Sequence, residues 1–201
     1  MFEISVENII VTLGYIGIFG LMISNGVLTL PSSQLLYIIT GYFIFTGELN
    51  LALVSLFGAL GNTIGNIILY ELARRKGLEY ITTFKLFPLR EIQKIQVVFE
   101  KRGAWFVFFG KLLPAIKVFV PIVAGIGLMN RALYIPIIFI TSLLWSFIFI
   151  GIGFFFGKNT ELFGIYPIVL IVVVLIVVFA FYKYMNSQSI ISEVDKSDKS
   201  E

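Results

Sequence analysis

From Tyr166 to Tyr182 the chain carries no charged residue, and the first charge is Lys183. A run of that kind, about 20 residues long, matches the thickness of a lipid bilayer's hydrocarbon core. Five further segments are apolar, residues 8–23, 24–50, 51–72, 105–129 and 134–156, and of these 51–72 and 134–156 read as unbroken spans. Mean hydropathy is +0.97, and only 13% of residues are charged against 58% hydrophobic. A soluble domain carries about a quarter charged residues. In lipid, backbone N–H and C=O groups must find partners within the protein, so spanning segments are helices or closed barrels. Runs this long and this apolar predict helices, and the chain reads as an all-α polytopic membrane protein.

Composition narrows the chemistry. There is no cysteine and no histidine. Thiol redox chemistry, thiolate metal sites and histidine general bases are excluded. Clustered carboxylates, which a metal-dependent enzyme needs, are missing from the spans. No catalytic residue, metal ligand or cofactor is therefore assigned, and the chain is not expected to be an enzyme. The acidic N-terminus, MFEISVEN, lacks the basic region of a cleaved signal peptide.

Charge gives an orientation. Arg74, Arg75, Lys76, Lys85, Arg90, Lys94, Lys101 and Arg102 face only Glu79, Glu91 and Glu100 in the same stretch. A short basic loop between spans marks the cytoplasmic side. Topology and attraction to anionic headgroups account for this patch without nucleic acid. Within it, Leu89, Ile92, Ile95, Val98 and Phe99 recur at helical spacing after Pro88. That pattern predicts an amphipathic helix lying on the membrane surface.

Two apolar segments are broken. The first, residues 24–50, holds Gly26, Pro31 and Gly41 with polar Asn25, Ser32, Ser33 and Gln34. The second, residues 105–129, holds Pro114, Pro121, Gly125 and Gly127. Irregular backbone at membrane depth survives only where protein or a watery cavity covers it, so each reads as a re-entrant hairpin. Pro31 to Asn62 and Pro114 to Trp145 are both 31 residues. Each hairpin precedes a span, and the charge topology inverts one unit relative to the other. Inverted repeats with discontinuous segments point to a transporter with a site near the midplane. The expected organisation is a membrane domain over 1–185. It comprises a first repeat at about 24–77, an amphipathic segment at about 78–103, a second repeat at about 104–157 and a last transmembrane helix at about 165–184. A disordered cytoplasmic tail follows over 186–201. Gly14, Gly17 and Gly20 read as a packing face on an N-terminal helix, and Gly58, Gly61 and Gly65 as another on the next span.

Lys111 and Lys117 lie in the second broken segment. A charge at the bilayer centre costs on the order of 3 kcal/mol. Snorkelling to the interface suits Lys111 in a shallow hairpin better than Lys117, near the presumed tip. Glu48 and Glu161 fall in external turns and Glu71 at a helix end, so no acid lies deep in a span. An anionic ligand is the favoured compensation. Phosphate suits two lysines, with backbone N–H groups at the hairpin tip as further donors.

Around these residues the chain resembles the DedA family, also described as VTT or SNARE-associated membrane proteins. The family pattern G-R-F-x-P-x-x-R, followed by A-G-x-x-x-M, is met by Gly110, Lys111, Leu112, Pro114, Lys117, Ala124, Gly125 and Met129. Gly65, Asn66, Tyr70, Ala73, Arg74 and Gly77 are similar to its G-D-x-x-x-Y-x-x-G-R-x-x-G, and Pro31 to Gln34 stands where the family has P-x-E or P-x-D. The resemblance spans about residues 10–160. It implies two inverted re-entrant hairpins and lipid translocation, with members that recycle polyprenyl-phosphate carriers or scramble lipids. Here both family arginines are lysines, and the family acids become Ser33 or Gln34, Ser24 or Asn25, and Asn66. Intramembrane acids are natural proton carriers, so their replacement puts proton coupling in doubt.

The expected function is movement of a phosphate-bearing lipid, a polyprenyl phosphate or a phospholipid, across the cell membrane. Passive phospholipid scrambling, small-ion transport and a membrane assembly factor are the alternatives. The expected substrate site comprises Lys111, Lys117, Pro114, Gly125, Pro31, Gln34, Asn25, Asn66, Tyr70 and Arg74. A coupling ion, H+ or Na+, and a homo-oligomer are the other partners left open.

Overall fold

A computed structural model describes residues 6–28, 32–82, 89–114 and 116–158, with isolated positions between 176 and 192. Pro31, most of the expected helix at 165–184 and residues 193–201 lie outside the described residues. Among the described residues all regular structure is helical and there is no strand, as the apolar runs require.

The helices are α1 (Val6–Leu28), α2 (Ser33–Phe45), α3 (Leu51–Thr82), α4 (Leu89–Arg102), α5 (Ala104–Lys111), α6 (Val120–Ile126) and α7 (Arg131–Lys158). Among the described residues two helices are long and apolar enough to cross a bilayer, α3 over Leu51–Gly77 and α7 over Arg131–Lys158. Their lengths of 27 and 28 residues correspond to about 40 Å at 1.5 Å per residue. α3 breaks at Gly77, whose φ of 75° lies in the left-handed region that only glycine enters freely. α2 has 13 residues, α5 has 8 and α6 has 7. At about 1.5 Å per residue none of these three reaches across a 30 Å hydrocarbon core.

The chain divides into two compact units. The first takes residues 1–66 and 139–164, and the second takes residues 67–138 and 165–201. α3 divides after Asn66 and α7 after Ile138, so each contributes to both units.

In the first unit α1, α2, the start of α3 and the end of α7 come together through small residues. A methyl group on Gly26 of α1 would stand 2.6 Å from the Asn62 carbonyl oxygen and 2.7 Å from Gly65 Cα. One on Gly41 of α2 would meet Gly153 Cα of α7 at 2.9 Å. Gly58 leaves room for the ring of Tyr37. The glycine face of α3 thus packs as expected. On α1, Gly14 meets Leu49 Cδ2 at 3.7 Å. Gly17 and Gly20 have no described atom near their Cβ positions, and α1 makes its close approach at Gly26 instead.

The second unit has a continuous apolar core. Ile92, Ile95, Val98 and Phe99 of α4 are buried with Phe106, Val107, Val120, Ile122 and Val123. Phe99 meets Phe106 edge to face, with ring centroids 6.3 Å apart. The apolar stripe of α4 was expected to sink into lipid, but it packs against α5 and α6. Arg90, Glu100, Lys101 and Arg102 remain on its exposed side. Lys94 is buried on the covered side, where Nζ donates to Glu91 at 3.0 Å and to Asn186 Oδ1 at 2.8 Å. Ile190 joins the same core. Two residues of the stretch expected to be a disordered tail therefore touch the second unit.

Candidate functional site

The second broken segment is helix, turn, helix. α5 ends at Lys111, residues 112–114 and 116–119 are in turns with Pro114 among them, and Pro121 stands in the first turn of α6. Proline suits that position because its missing N–H would have no helical partner there. The turn closes on itself. Leu113 N donates to Gly110 O at 3.2 Å, and Lys117 N donates to Leu113 O at 3.0 Å. A methyl group on Gly110 would come within 3.1 Å of Val120 and 3.2 Å of Ile116, so the two short helices meet closely here.

This turn carries the two lysines. Lys111 is buried, with 7% of its surface exposed, and Lys117 is half-buried. Lys111 is the last residue of α5, and Lys117 follows in the turn. The second unit therefore carries two lysines on one helix–turn segment, one of them buried beside an apolar core. Each ammonium brings three N–H donors and no acceptor. That is the chemistry of an anion site.

Tyr70, Arg74 and Gly125 are brought together elsewhere in the same unit. The Tyr70 hydroxyl donates to the Met129 carbonyl. Arg74 Nη1 donates to the same carbonyl at 2.9 Å and to the Tyr70 oxygen at 2.8 Å. The Tyr70 ring stacks on Tyr134 at 4.2 Å. A methyl group on Gly125 would press on Ala73 Cβ at 2.9 Å and Arg74 N at 3.1 Å. These residues clamp the link between α6 and α7 onto α3. Arg131, which opens α7, adds a forked pair of bonds to Glu71.

The first unit contains the remaining expected residues apart from Pro31. Asn62 Nδ2 donates to Asn25 Oδ1 at 3.0 Å. Asn62 Oδ1 accepts from Asn66 Nδ2 and from Ser142 Oγ, both at 3.0 Å. All four residues are buried. They join α1, α3 and α7 through side-chain amides and a hydroxyl, with no carboxylate among them. Gln34 stands apart from this network at the start of α2. Its Oε1 accepts from Ser32 at 3.0 Å and from Ser33 at 3.3 Å. Ser33 also accepts from the Trp145 indole N–H at 3.3 Å.

Asn62, Ser142 and the Trp145–Ser33 pair were not among the expected site residues. Asn62 stands four positions before Asn66 and so on the same helical face. That spacing was the available signal. Among the described residues no group of three or more Asp, Glu, His or Cys residues could hold a metal ion.

The VTT domain matches residues 30–155. The chain is 31% identical over 152 residues to the uncharacterized membrane protein YbfM of Bacillus subtilis, covering 74% of this chain and 93% of that one. It is 26% identical over 147 residues to undecaprenyl phosphate transporter A of Staphylococcus aureus, covering 70% and 72%. It is 26% identical over 131 residues to protein DedA of Escherichia coli, covering 64% and 60%. No solved structure matches. With the family's domain matched over most of the chain and two helices able to span a bilayer, the protein is a membrane protein of the DedA family, the family of the VTT domain.

Proposed function

We propose that the protein moves a phosphate-bearing lipid across the cell membrane, with Lys111 and Lys117 holding the phosphate. The observation that carries this reading is the pair of neighbouring lysines on the α5–α6 turn, one of them buried. Two cations on one short segment beside an apolar core favour a ligand of opposite charge. The name of the Staphylococcus aureus relative supports an undecaprenyl phosphate or a similar polyprenyl phosphate as the substrate class. The lipid tail stays in the bilayer while the headgroup crosses.

In this reading α2 and the α5–α6 pair are the two re-entrant elements, each followed by a span, in inverted repeats. Rocking of one repeat against the other switches access. Asn25, Gln34 and Asn66 line the headgroup path by hydrogen bonding, and Pro31 and Pro114 keep the two elements broken. The basic segment from Arg74 to Arg102 faces the cytoplasm.

A second reading has its own support. The network of Asn25, Asn62, Asn66 and Ser142 has amides and a hydroxyl but no group that titrates near neutral pH. A path lined this way suits passive scrambling better than proton-driven transport.

The test is a flipping assay on purified protein in liposomes. Headgroup-labelled polyprenyl phosphate and, separately, labelled phospholipid are followed by loss of label to an external quencher. Flipping of the polyprenyl phosphate that disappears in Lys111→Gln/Lys117→Gln supports the site. Flipping that survives in this variant removes the lysines from it. If well-folded protein moves neither lipid under applied ion gradients, the transport reading falls. A gradient-independent rate favours the scramblase.

A further inference from the structure

Two buried hydroxyl groups of the first unit have no hydrogen-bond partner among the described residues, the phenol of Tyr37 on α2 and the hydroxyl of Ser55 on α3. Each residue is 1% exposed. Buried polar groups are paired as a rule, with protein or with ordered water, and one left unpaired destabilises the fold.

Their placement brings both to the same contact. A methyl group on Gly58 would stand 2.5 Å from Tyr37 Oη and 2.8 Å from Cε1 of the same ring, so the phenol ends against the backbone of α3. The Cα–Cβ bond of a helical residue leans toward the helix N-terminus. The phenol oxygen therefore lies over the turn of α3 that precedes Gly58. Ser55 stands three positions before Gly58, on the same helical face. The polar side chains nearby are engaged elsewhere. One turn earlier on α2, Ser33 donates to Gln34 and accepts from Trp145. Thr40 donates to the Tyr37 carbonyl at 3.0 Å. Asn62, one turn beyond Gly58, bonds to Asn25 and Ser142.

The chemistry of the pair selects the ligand. A divalent cation takes about six oxygen ligands, carboxylates among them, and two neutral hydroxyls fall short of that. An apolar occupant would leave both O–H groups unpaired. A water molecule accepts from one hydroxyl and donates to the other, and a buried water typically makes about three such bonds.

We propose that Tyr37 Oη and Ser55 Oγ bind a buried water that bridges α2 to α3 inside the first unit. α2 is then seated on α3 by a hydrogen-bonded bridge as well as by the close packing at Gly58. The site involves neither Lys111 nor Lys117 and does not depend on the transport reading.

X-ray radiolysis of the purified protein, read by mass spectrometry, tests the site, because radicals formed from a bound water oxidise the side chains that hold it. Tyr37 should be oxidised several-fold faster than Tyr134, which is 0% exposed. Ser55→Ala should bring the Tyr37 rate down to that of Tyr134. Oxidation of Tyr37 no faster than that of Tyr134, or a rate unchanged in Ser55→Ala, overturns the proposal. Stability gives a second readout. Tyr37→Phe and Ser55→Ala should each lower the denaturant midpoint in detergent, and the double variant should fall no further than the larger single loss, because either change breaks the same bridge. A dry, unpaired phenol predicts the opposite sign, since Tyr37→Phe would then leave the midpoint unchanged or raise it. That result, or additive losses in the double variant, overturns the bridge. If a variant does not fold, the ratio of Tyr37 to Tyr134 oxidation in the unaltered chain decides.

Discussion

Asn62 donates from Nδ2 to Asn25 Oδ1 at 3.0 Å while its own Oδ1 accepts from Ser142 at 3.0 Å, so one α3 side chain holds both α1 and α7. An unsatisfied buried polar group costs about 1–3 kcal/mol, although interhelical bonds in membrane proteins average nearer 0.6 kcal/mol. Asn62→Leu leaves Asn25 and Ser142 each short of a partner. It should lower stability by about 1–3 kcal/mol, read as a lower denaturant midpoint in detergent. Asn62→Asp keeps an acceptor for Ser142 but removes the donor to Asn25 and buries an acid. It should be at least as damaging at neutral pH. A midpoint unchanged in both variants would show that the network contributes nothing.

The glycine crossings make a sharper prediction. Gly65 faces Gly26 so closely that a methyl group would stand 2.8 Å from its Cα. Backbone lies on both sides, so no flexible side chain can move aside. Gly65→Val should abolish folding of the first unit or shift α1, with a loss above about 3 kcal/mol, in the range of severe overpacking. Gly17→Val, on a face of α1 with no described atom within 4 Å of the Cβ position, should be tolerated. Yield of monodisperse protein after size-exclusion chromatography separates the two, and equal yields would contradict the packing described.

Glu71 offers a contrast between a partly shielded bond pair and the open surface. Its carboxylate takes two bonds from Arg131 and lies 3.4 Å from Arg75 Nε. The side chains of Glu71 and Arg131 are 23% and 52% exposed. Exposed ion pairs contribute about 0–1 kcal/mol and are screened by salt. Glu71→Gln should therefore cost at most about 1 kcal/mol, and the difference from the original protein should shrink between low and high ionic strength. A large, salt-independent loss would mean that Glu71 does more than close the start of α7.

The long apolar runs made α3 and α7 readable from sequence to within a few residues. The expected spans 51–72 and 134–156 became Leu51–Gly77 and Arg131–Lys158. The break at Pro114 was also readable, because a proline shortly after Lys111 has no N–H to continue α5. The covering of α4 was not readable. Helical spacing of Ile92, Ile95 and Phe99 says that one face is apolar, but lipid and a protein core are equally good solvents for it. The role of Tyr70 and Arg74 was hidden for another reason. Their partner is a backbone carbonyl, Met129 O, and a carbonyl leaves no trace in residue identity. Asn62 was overlooked although Asn66 stands four positions on, because its partners on α1 and α7 lie 37 and 80 positions away, and two amides in a glycine-rich helix give no hint of either.

Substitution at Lys117 discriminates charge from geometry at the proposed site. Lysine binds phosphate as a point charge, and arginine adds a planar fork. Lys117→Arg keeps the cation and should preserve flipping of a labelled polyprenyl phosphate. It should also tighten phosphate binding if the turn lets the fork lie flat against the anion. Lys117→Gln removes the charge without adding repulsion and should slow flipping by roughly tenfold or more, as expected for loss of about 1.5–3 kcal/mol from a charged hydrogen bond. Lys117→Glu sets a negative charge beside the substrate and should abolish flipping while the protein still inserts. Because Lys117 is only half-buried, all three variants should fold, so the order Arg, Gln, Glu in rate tests the site itself. Equal rates across the series would mean that Lys117 does not meet the phosphate.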